Sequence, residues 1–476
     1  MSDTSDVFQS NLNKTPTGVG GLDEITGGGL PAGRPTLVCG GPGSGKTLVG
    51  LSFLVNGARR FGEPGVLVSF EESASDLACD VASLGFDLPQ LIGEGKLLID
   101  HVRIERSEIE ETGEYDLEGL FVRLDHAVRS VGARRVVLDT VESLFGGLSN
   151  ESTLRAELRR LLRWLKDRQL TTIITGERGK ESLTRQGLEE YVSDAVILLD
   201  HRVREELSTR RLRIVKYRGS FHGTNEYPFL IDRHGLSVLP VTSLRLDHEA
   251  PTERVSTGVP QLDAMLGGAG FYRGSTVLLS GVAGTGKTSL AASFADAACR
   301  RGEQCAYFLL EESPQQLMRN MRSIGLDLQP WAQRGLLHLI AERPSRFGLE
   351  AHLAAMYRAV DDLRPDTVIV DSITDLLSLG GQTEVQAMLV RLIDHLKTRG
   401  TTVLFSGLSS GSVELREPHA LVSSLMDAWI LLTLRESRGG RQRQMEVLKA
   451  RGIAHSSRVY DFTLSERGFH ITAPEG

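Results

Sequence analysis

The chain has 476 residues, a formal net charge of −7 and a pI near 6.0. This length predicts two to four domains of roughly 100–200 residues each, and 40% hydrophobic with 24% charged residues is typical of a globular protein with a buried core. The acidic balance argues against a dedicated DNA-binding protein, and no apolar run reaches the ~20 residues that cross a bilayer. The four cysteines form no CxxC pair, so neither a disulfide framework nor a zinc site is indicated, and we expect a cytoplasmic protein.

In chain order, the sequence opens with a polar stretch, residues 1–13, that predicts a flexible tail. Short runs rich in β-branched residues then predict buried strands at 36–39, 66–68, 136–138 and 172–174. The apolar spacing of residues 154–165 is that of an amphipathic helix. Strands that alternate with helical segments favour an α/β fold with a mainly parallel sheet flanked by helices.

The second half of the chain repeats the first. Residues 17–47 begin TGV and end GKT, residues 257–288 do the same with one inserted residue, and the segments EES, KYRG and KARG recur in register. Copies of about 230 residues are too long for solenoid repeats, so we interpret them as duplicated domains. A polar stretch flanked by prolines separates the copies. We therefore predict a first domain at 14–240, a linker at 241–253 and a second domain at 254–476.

Each copy contains a phosphate-binding loop (P-loop). Residues 40–47 read GGPGSGKT and residues 281–288 read GVAGTGKT, and both fit G-x-x-x-x-G-K-[ST]. Glycines allow the positive φ that turns N–H groups onto phosphates, and the helix that follows favours an anion at its N-terminus. Two matches in register make a chance glycine-rich loop a poor alternative. The ATP-binding positions predicted here are Gly43, Ser44, Gly45, Lys46, Thr47, Leu48, Gly284, Thr285, Gly286, Lys287, Thr288 and Ser289.

Acidic residues follow two predicted strands in each copy. Asp139 and Asp371 end apolar strands, where P-loop enzymes keep a carboxylate for Mg²⁺, although an aspartate there can also cap a helix. We predict that these two, with the hydroxyls of Thr47 and Thr288, form the metal sites. The strand after each P-loop helix ends in an acidic pair that can orient an attacking water, the alternative being a solvated acidic turn. These catalytic candidates are Glu71, Glu72, Glu311 and Glu312.

Two cations at alternate positions precede a glycine in each copy, at 216–218 and at 449–451. Side chains at positions i and i+2 of a strand point the same way. That arrangement suits a triphosphate held from the side, including one that belongs to a neighbouring subunit. The alternative is an exposed edge strand protected by charge. The predicted ATP-binding positions are Lys216, Tyr217, Arg218, Lys449, Ala450 and Arg451.

Together, the paired P-loops, both EES segments, KYRG, KARG and the segment GTNEYPFLI around Tyr227 resemble the KaiC family of circadian-clock proteins from about Thr15 onwards. The resemblance implies a RecA-like fold in each half and an ATP-bound homohexamer of two stacked rings. It implies that the first ring hydrolyses ATP and that the second phosphorylates itself. Ser423 and Ser424 match the family's adjacent phosphosites, although two small residues entering a strand are the simpler alternative.

The sequence departs from the family pattern at several positions. Both candidate phosphosites are serines, and residues 418–420 lack the usual acid and hydroxyl. No Arg or Lys lies between Arg364 and Arg391, so the arginine finger expected after Asp371 is missing, whereas the first copy keeps Arg155. The family's C-terminal loop and tail are also missing, so activation by KaiA is not expected, while a KaiB-like partner stays open.

A second hypothesis is a RecA-like DNA-dependent ATPase, either a recombinase or a motor. Such a protein would share both P-loops. The acidic charge and the lack of a basic loop interleaved with aromatic residues argue against it.

Overall fold

The structure, a computed structural model, describes residues 12–102, 118–145, 151–179, 183–184, 193–204, 207–233, 235–239, 251–344, 348–408, 424–437, 440–466 and 468–472. The chain divides into two compact units, Met1–Val241 and Thr242–Gly476. Residues 1–11 of the predicted tail, residues 241–250 of the predicted linker and the candidate phosphosite Ser423 lie outside the described residues.

Among the described residues, the elements of the first unit are a mixture of strands and helices up to β7 and are strands after it. Its helices are α1 (Leu22–Ile25), α2 (Lys46–Arg60), α3 (Ala74–Ala82), α4 (Leu88–Gly93), α5 (Glu118–Val131) and α6 (Glu151–Asp167), with a 3₁₀ turn at Val141–Phe145. Its strands are β1 (Lys14–Thr15), β2 (Leu30–Pro31), β3 (Pro35–Gly40), β4 (Gly65–Ser69), β5 (Leu97–His101), β6 (Arg135–Asp139), β7 (Thr171–Glu177), β8 (Ala195–Arg204), β9 (Leu207–Tyr217), β10 (Glu226–Asp232) and β11 (Gly235–Val238).

The second unit repeats this order. Its helices are α7 (Pro260–Met265), α8 (Lys287–Arg300), α9 (Pro314–Arg322), α10 (Gln329–Gln333), α11 (Leu349–Leu363) and α12 (Gln382–Lys397), with a 3₁₀ turn at Ile373–Ser378. Its strands are β12 (Arg254–Val255), β13 (Phe271–Tyr272), β14 (Thr276–Gly281), β15 (Cys305–Leu309), β16 (Leu337–Ala341), β17 (Thr367–Asp371), β18 (Thr402–Leu408), β19 (Ala428–Ser437), β20 (Gly440–Ala450), β21 (Tyr460–Ser465) and β22 (Gly468–Thr472).

Each unit is built on a nine-stranded sheet with the same topology. The order is β5-β4-β6-β7-β3-β8-β9-β10-β11 in the first unit and β16-β15-β17-β18-β14-β19-β20-β21-β22 in the second. The first six strands of each series are parallel, and the last three add by antiparallel pairing. The prediction of two mainly parallel sheets flanked by helices is therefore confirmed, whereas the antiparallel extension was not predicted.

Alternating side chains of β4 and β6 enter different hydrophobic cores on the two faces of the first sheet. Leu67 and Val137 pack with residues of α2, while Val66 and Val136 pack with residues of α5 and α6 on the other face. Because helices cover both faces of the sheet, the sequence of each central strand is a continuous apolar run, as is usual for parallel strands in α/β folds.

A buried cation supports β6 in the first unit. The Arg135 side chain has no exposed surface, donates a 2.9 Å hydrogen bond to the Phe53 carbonyl and pairs with Glu63 at 2.6 Å. Its guanidinium also lies over the rings of Phe53 and Phe61. In the second unit, Thr367 stands at the start of β17, in the position that Arg135 has at the start of β6. The second unit therefore has a threonine in place of this arginine.

The repeated TGV segment is explained by one side chain in each unit. Asp23 accepts hydrogen bonds from the backbone N–H and the hydroxyl of Thr17, and Asp263 accepts the same pair from Thr257. Each aspartate fixes the turn that leads into its unit. Within the described ranges, no helix is both long and apolar enough to cross a membrane.

Candidate nucleotide site

The P-loop lysines are folded back onto their own loops. Lys46 Nζ donates to the Gly40 and Gly41 carbonyls at 3.0 and 3.1 Å. Lys287 Nζ makes the matching contacts with the Gly281 and Val282 carbonyls at 2.9 and 3.1 Å. Both lysine side chains are buried, and burial lowers the pKa of Lys287. Each P-loop therefore holds one lysine ammonium group at its mouth, where a phosphate can replace the carbonyls as the hydrogen-bond acceptor.

The helix after each P-loop begins without a side-chain cap. Its N-cap residue is a left-handed glycine, Gly45 with φ 99° and Gly286 with φ 102°, and neither N-cap makes a side-chain cap hydrogen bond. A Cβ atom added at Gly43 or Gly284 would meet nothing within 4 Å. Uncapped N–H groups beside open space are what an anionic phosphate requires. The residues present thus fit a nucleoside triphosphate in both units.

The other P-loop positions fall into two groups by exposure. Ser44, Thr285 and Ser289 are buried. Thr47, Thr288 and Leu48 are half-buried on the first turn of their helices.

Asp139 and Asp371 occupy the same place in the two units. Each ends the strand beside the one that leads into the acidic pair, and each is buried. Asp139 accepts hydrogen bonds from Thr175 and Thr47, and burial raises its pKa. Asp371 accepts from Ser406 and, at 3.1 Å, from the Tyr307 hydroxyl. The contact between Thr47 and Asp139 joins the two predicted metal-binding residues of the first unit.

The acidic pair of the first unit lies at the carboxyl end of β4. Glu71 Oε1 accepts from the Thr140 hydroxyl at 2.9 Å and from the Ser143 hydroxyl at 3.0 Å. The Glu72 backbone N–H donates to the Ser69 hydroxyl at 3.1 Å. Burial raises the pKa of the Glu72 carboxyl, and neighbouring carboxylates raise it further. The two acids therefore differ in their surroundings: hydroxyl donors hold the Glu71 carboxylate, whereas burial and neighbouring carboxylates raise the pKa of Glu72.

The acidic pair of the second unit has different neighbours. Burial raises the pKa of Glu311, and the nearby Asp375 and Asp371 carboxylates add to the effect. Burial also raises the pKa of Glu312, whose Oε2 accepts from Asn320 at 3.1 Å. The hydroxyl donors that contact Glu71 have no matching contact on Glu311 among the hydrogen bonds of the described residues.

The predicted cations lie at the opposite end of the sheet from the P-loop of their own unit. Lys216 pairs with Val196 on β8, and Val196 pairs with Leu37, near the start of β3. The P-loop follows Gly40 at the other end of that strand. In the second unit Lys449 has the matching register on β19 and β14. Three residues of strand span about 10 Å, so neither set of cations belongs with its own unit's P-loop.

The side chains of each cation segment alternate as expected. Arg218 and Arg451 are exposed and the lysines half-buried, while Tyr217 and Ala450 are buried within their units. The Tyr217 hydroxyl donates to a carbonyl of its own unit at 2.8 Å. Any contact from these two middle positions to a molecule outside the unit therefore involves the backbone. A β-bulge precedes each cation segment and re-aims the side chains after it.

Sequence reasoning missed an aspartate that supports each cation segment. Asp194 pairs with Lys166 at 2.5 Å, and its carbonyl accepts from the Arg218 N–H at 2.9 Å. Asp427 pairs with Lys397 at 2.9 Å, and its carbonyl accepts from the Arg451 N–H at 2.8 Å. The signal was present, because both aspartates precede an apolar strand at the same point of the repeat.

Asp427 also connects to the predicted phosphosite. It accepts from the Thr276 N–H and hydroxyl at 3.0 and 2.9 Å and lies 3.6 Å from Arg451. Although burial raises its pKa, the hydrogen bonds from Thr276 and Lys397 lower it overall. Arg451 in turn donates to the Ser424 carbonyl at 2.9 Å. Ser424, which is exposed, therefore lies at the cation end of the sheet.

Comparison with known proteins decides the family. The family model described as "ATPase: KaiC" matches residues 15–243 and again 255–476. The chain belongs to the KaiC ATPase family. This match confirms the resemblance inferred from the sequence, with a RecA-like P-loop domain in each half. Membership of this ATPase family implies that the chain binds nucleotide.

Curated KaiC relatives match almost from end to end. The chain is 54% identical over 473 residues to the circadian clock protein KaiC2 of Synechocystis sp., covering 99% of this chain and 83% of that protein. It is 38% identical over 462 residues to the circadian clock oscillator protein KaiC of Synechococcus elongatus, covering 96% and 88%. With the oscillator KaiC of Thermosynechococcus vestitus it shares 37% over 476 residues, covering 99% and 91%. These matches do not favour a DNA-dependent ATPase.

Proposed function

We propose that this KaiC-family protein hydrolyses ATP in its first unit and phosphorylates its own serines in its second, as a clock-type signalling protein. The observation that carries the proposal is the opposed placement of two half-sites in each unit. The P-loop, Asp139 and Glu71 stand at the carboxyl end of the parallel strands, while Lys216 and Arg218 stand at the amino end. A complete site then needs two subunits.

This arrangement supports a ring in which ATP lies between neighbours. The P-loop of one subunit binds the phosphates, and the cations of the next subunit approach from the side. A sixfold ring of each unit, giving two stacked rings, is the assembly that we propose. ATP would then stabilise the assembly by mass action, because it binds both partners at once.

In the first unit, the Glu71 and Glu72 carboxyls are the candidates to orient and deprotonate water. Lys46 holds the terminal phosphates, and Thr47 with Asp139 would hold Mg²⁺. When bound, Mg²⁺ neutralises charge that develops on the phosphates. The hydrogen bond from Thr47 to Asp139 supports this assignment because it brings the two candidate metal ligands together. Thr288 and Asp371 are the corresponding candidates in the second unit.

In the second unit, the acceptor that we propose is a serine hydroxyl at position 423 or 424. Ser424 stands at the cation end, so the phosphates bound to its own P-loop are out of reach and a neighbour's ATP must supply the phosphoryl group. The serine oxygen forms a bond to the γ-phosphorus as the bond to the bridging oxygen breaks. ADP leaves with the electron pair, and Glu311 of the neighbour takes the serine proton.

Incubation of the protein with Mg·ATP tests the proposal, with phosphate release and intact mass measured together. We expect inorganic phosphate, a mass gain of one or two phosphoryl groups, and a phosphorylated peptide that contains Ser423 and Ser424. The double Ala variant should abolish the mass gain while ATP hydrolysis persists, and Glu311→Gln should reduce it sharply. A wild-type hexamer that hydrolyses ATP but gains no phosphate would contradict the self-phosphorylation and leave only the ATPase activity. A wild-type hexamer that does not hydrolyse ATP and gains no phosphate would overturn both activities.

A further inference from the structure

The hydroxyl pair that contacts Glu71 is a local feature of the first unit. Thr140 and Ser143 lie in the turn that follows β6, and both hydroxyls reach the same carboxylate oxygen, at 2.9 and 3.0 Å. The two hydroxyl oxygens are themselves 3.4 Å apart. Two donors that converge on one oxygen leave the other oxygen of Glu71 to accept a proton from elsewhere. They also fix the plane of the carboxylate.

The second unit repeats the backbone that supports this feature. The Phe70 N–H donates to the Asp139 carbonyl at 2.9 Å, and the Leu310 N–H donates to the Asp371 carbonyl at the same distance. The acidic residue that follows Phe70 or Leu310 therefore leaves its strand at the same point relative to the neighbouring strand. Glu71 and Glu311 begin from equivalent backbone positions.

The turn after the aspartate is repeated as well. The Ser143 N–H donates to the Thr140 carbonyl at 3.2 Å, and the Asp375 N–H donates to the Ser372 carbonyl at 3.3 Å. Ser372 therefore stands where Thr140 does, and Asp375 stands where Ser143 does. The backbone is the same, and one hydroxyl has been replaced by a carboxyl.

That replacement changes what the glutamate meets. The Ser372 hydroxyl donates to Asp375 Oδ2 at 3.0 Å. A hydroxyl has a single hydrogen to donate, so this donor is occupied by Asp375. The Glu311 carboxyl lies within hydrogen-bonding reach of the Asp375 carboxyl. Where Glu71 meets two donors, Glu311 meets a second acid.

We propose that Thr140 and Ser143 are positioning residues that hold Glu71 for attack by water, and that Asp375 removes this support from Glu311 in the second unit. The proposal rests on the proposed function, because it names what separates the hydrolytic unit from the phosphorylating one. Turnover of ATP by water is then concentrated in the first unit, and the second unit retains its nucleotide for transfer to a serine.

The step in question balances as follows. The water oxygen forms a bond to the γ-phosphorus while the bond to the bridging oxygen breaks, and ADP leaves with that electron pair. The proton of the water passes to the oxygen of Glu71 that the hydroxyls do not occupy. Misplacing a reacting group by about 1 Å can cost ~10²-fold in rate, so loss of one of two positioning donors should lower kcat by about tenfold.

The first experiment isolates the first unit in a Glu311→Gln, Glu312→Gln background. There Ser143→Ala should lower kcat by about tenfold. The KM for ATP and the affinity for a non-hydrolysable ATP analogue should stay within twofold, because the P-loop is untouched. Ser143→Thr keeps the hydroxyl and should restore kcat, and Ser143→Asp, which copies the second unit, should lower it at least as far as Ala does.

The reciprocal experiment isolates the second unit in a Glu71→Gln, Glu72→Gln background. Asp375→Ser, which copies the first unit, should raise the kcat for phosphate release by about tenfold. It should also lower the phosphorylated fraction of the serine peptide as hydrolysis competes with transfer.

The outcomes separate this inference from the proposed function. A wild-type protein without phosphate release contradicts the proposed function itself. If the wild-type protein turns over normally, a Ser143→Ala variant whose kcat stays within twofold of its background overturns the positioning role. A Ser143→Thr variant as slow as Ser143→Ala overturns it as well. An Asp375→Ser variant that is no faster than its background overturns the second half of the proposal.

Discussion

Removal of the Asp427 carboxylate should destabilise the second unit and leave the first nearly unchanged. Asp427 accepts two hydrogen bonds from Thr276, and a hydrogen bond to a charged group contributes about 1.5–3 kcal/mol. The 2.9 Å pair with Lys397 is partly exposed, so it adds at most about 1 kcal/mol. For Asp427→Ala we expect a loss of about 4 kcal/mol in the free energy of unfolding. In a unit of this size that is a fall in Tm of about 8–16 °C.

Calorimetry of the nucleotide-free full chain measures this change, and hydrogen exchange of strands β14 and β3 assigns it to a unit. Asp362→Ala, at an exposed position of α11, is the control and should stay within about 0.5 kcal/mol. Asp427 has a lowered pKa when folded, so its contribution is complete above its ordinary value of 3.8 and disappears as the pH falls below it. Equal exchange of β14 in Asp427→Ala and wild type at pH 7 would refute the reasoning.

Three further variants address turnover, assembly and the core. Glu71→Gln combined with Glu72→Gln should lower phosphate release by ~10²-fold or more while ATP still binds, and unchanged turnover with the second unit inactivated would contradict the assignment. Lys46→Ala combined with Lys287→Ala should shift the hexamer towards monomers at low protein concentration, which sedimentation would show, whereas a nucleotide-independent oligomer counts against the ring. Arg135→Ala should lower the free energy of unfolding of the first unit by about 3–5 kcal/mol in denaturant titration, because it breaks a buried ion pair, and a loss below 1 kcal/mol would mean that the pair adds little.

The sequence was sufficient to predict the central strands and the nucleotide loops because both depend on local signals. Strands buried on two faces appear as short apolar runs, and the runs at 66–68 and 136–138 fall within β4 and β6. The P-loop is a local pattern as well, since eight consecutive residues specify a turn and the start of a helix. The duplication gave each of these signals twice.

Contacts between distant segments could not be predicted in this way. The Glu71 carboxylate and the Ser143 hydroxyl are 72 positions apart and meet because β4 and β6 are neighbours in the sheet. Strand order is set by packing on both faces, which a single sequence does not display. The repeated position of Asp194 and Asp427 is visible in the sequence, but their contacts with the cation segments join distant strands and were missed for the same reason.

The central position of β3 has a consequence for how the chain folds during synthesis. Pro35–Gly40 is among the first strands to be made, yet its two neighbours are Thr171–Glu177 and Ala195–Arg204. At roughly 5–20 residues per second, β3 waits about 8–30 s for both partners. An apolar strand without neighbours is prone to aggregate during that time. Because each unit forms its own sheet, the first can fold before the strands of the second are made, and the growing chain then exposes only one incomplete sheet at a time.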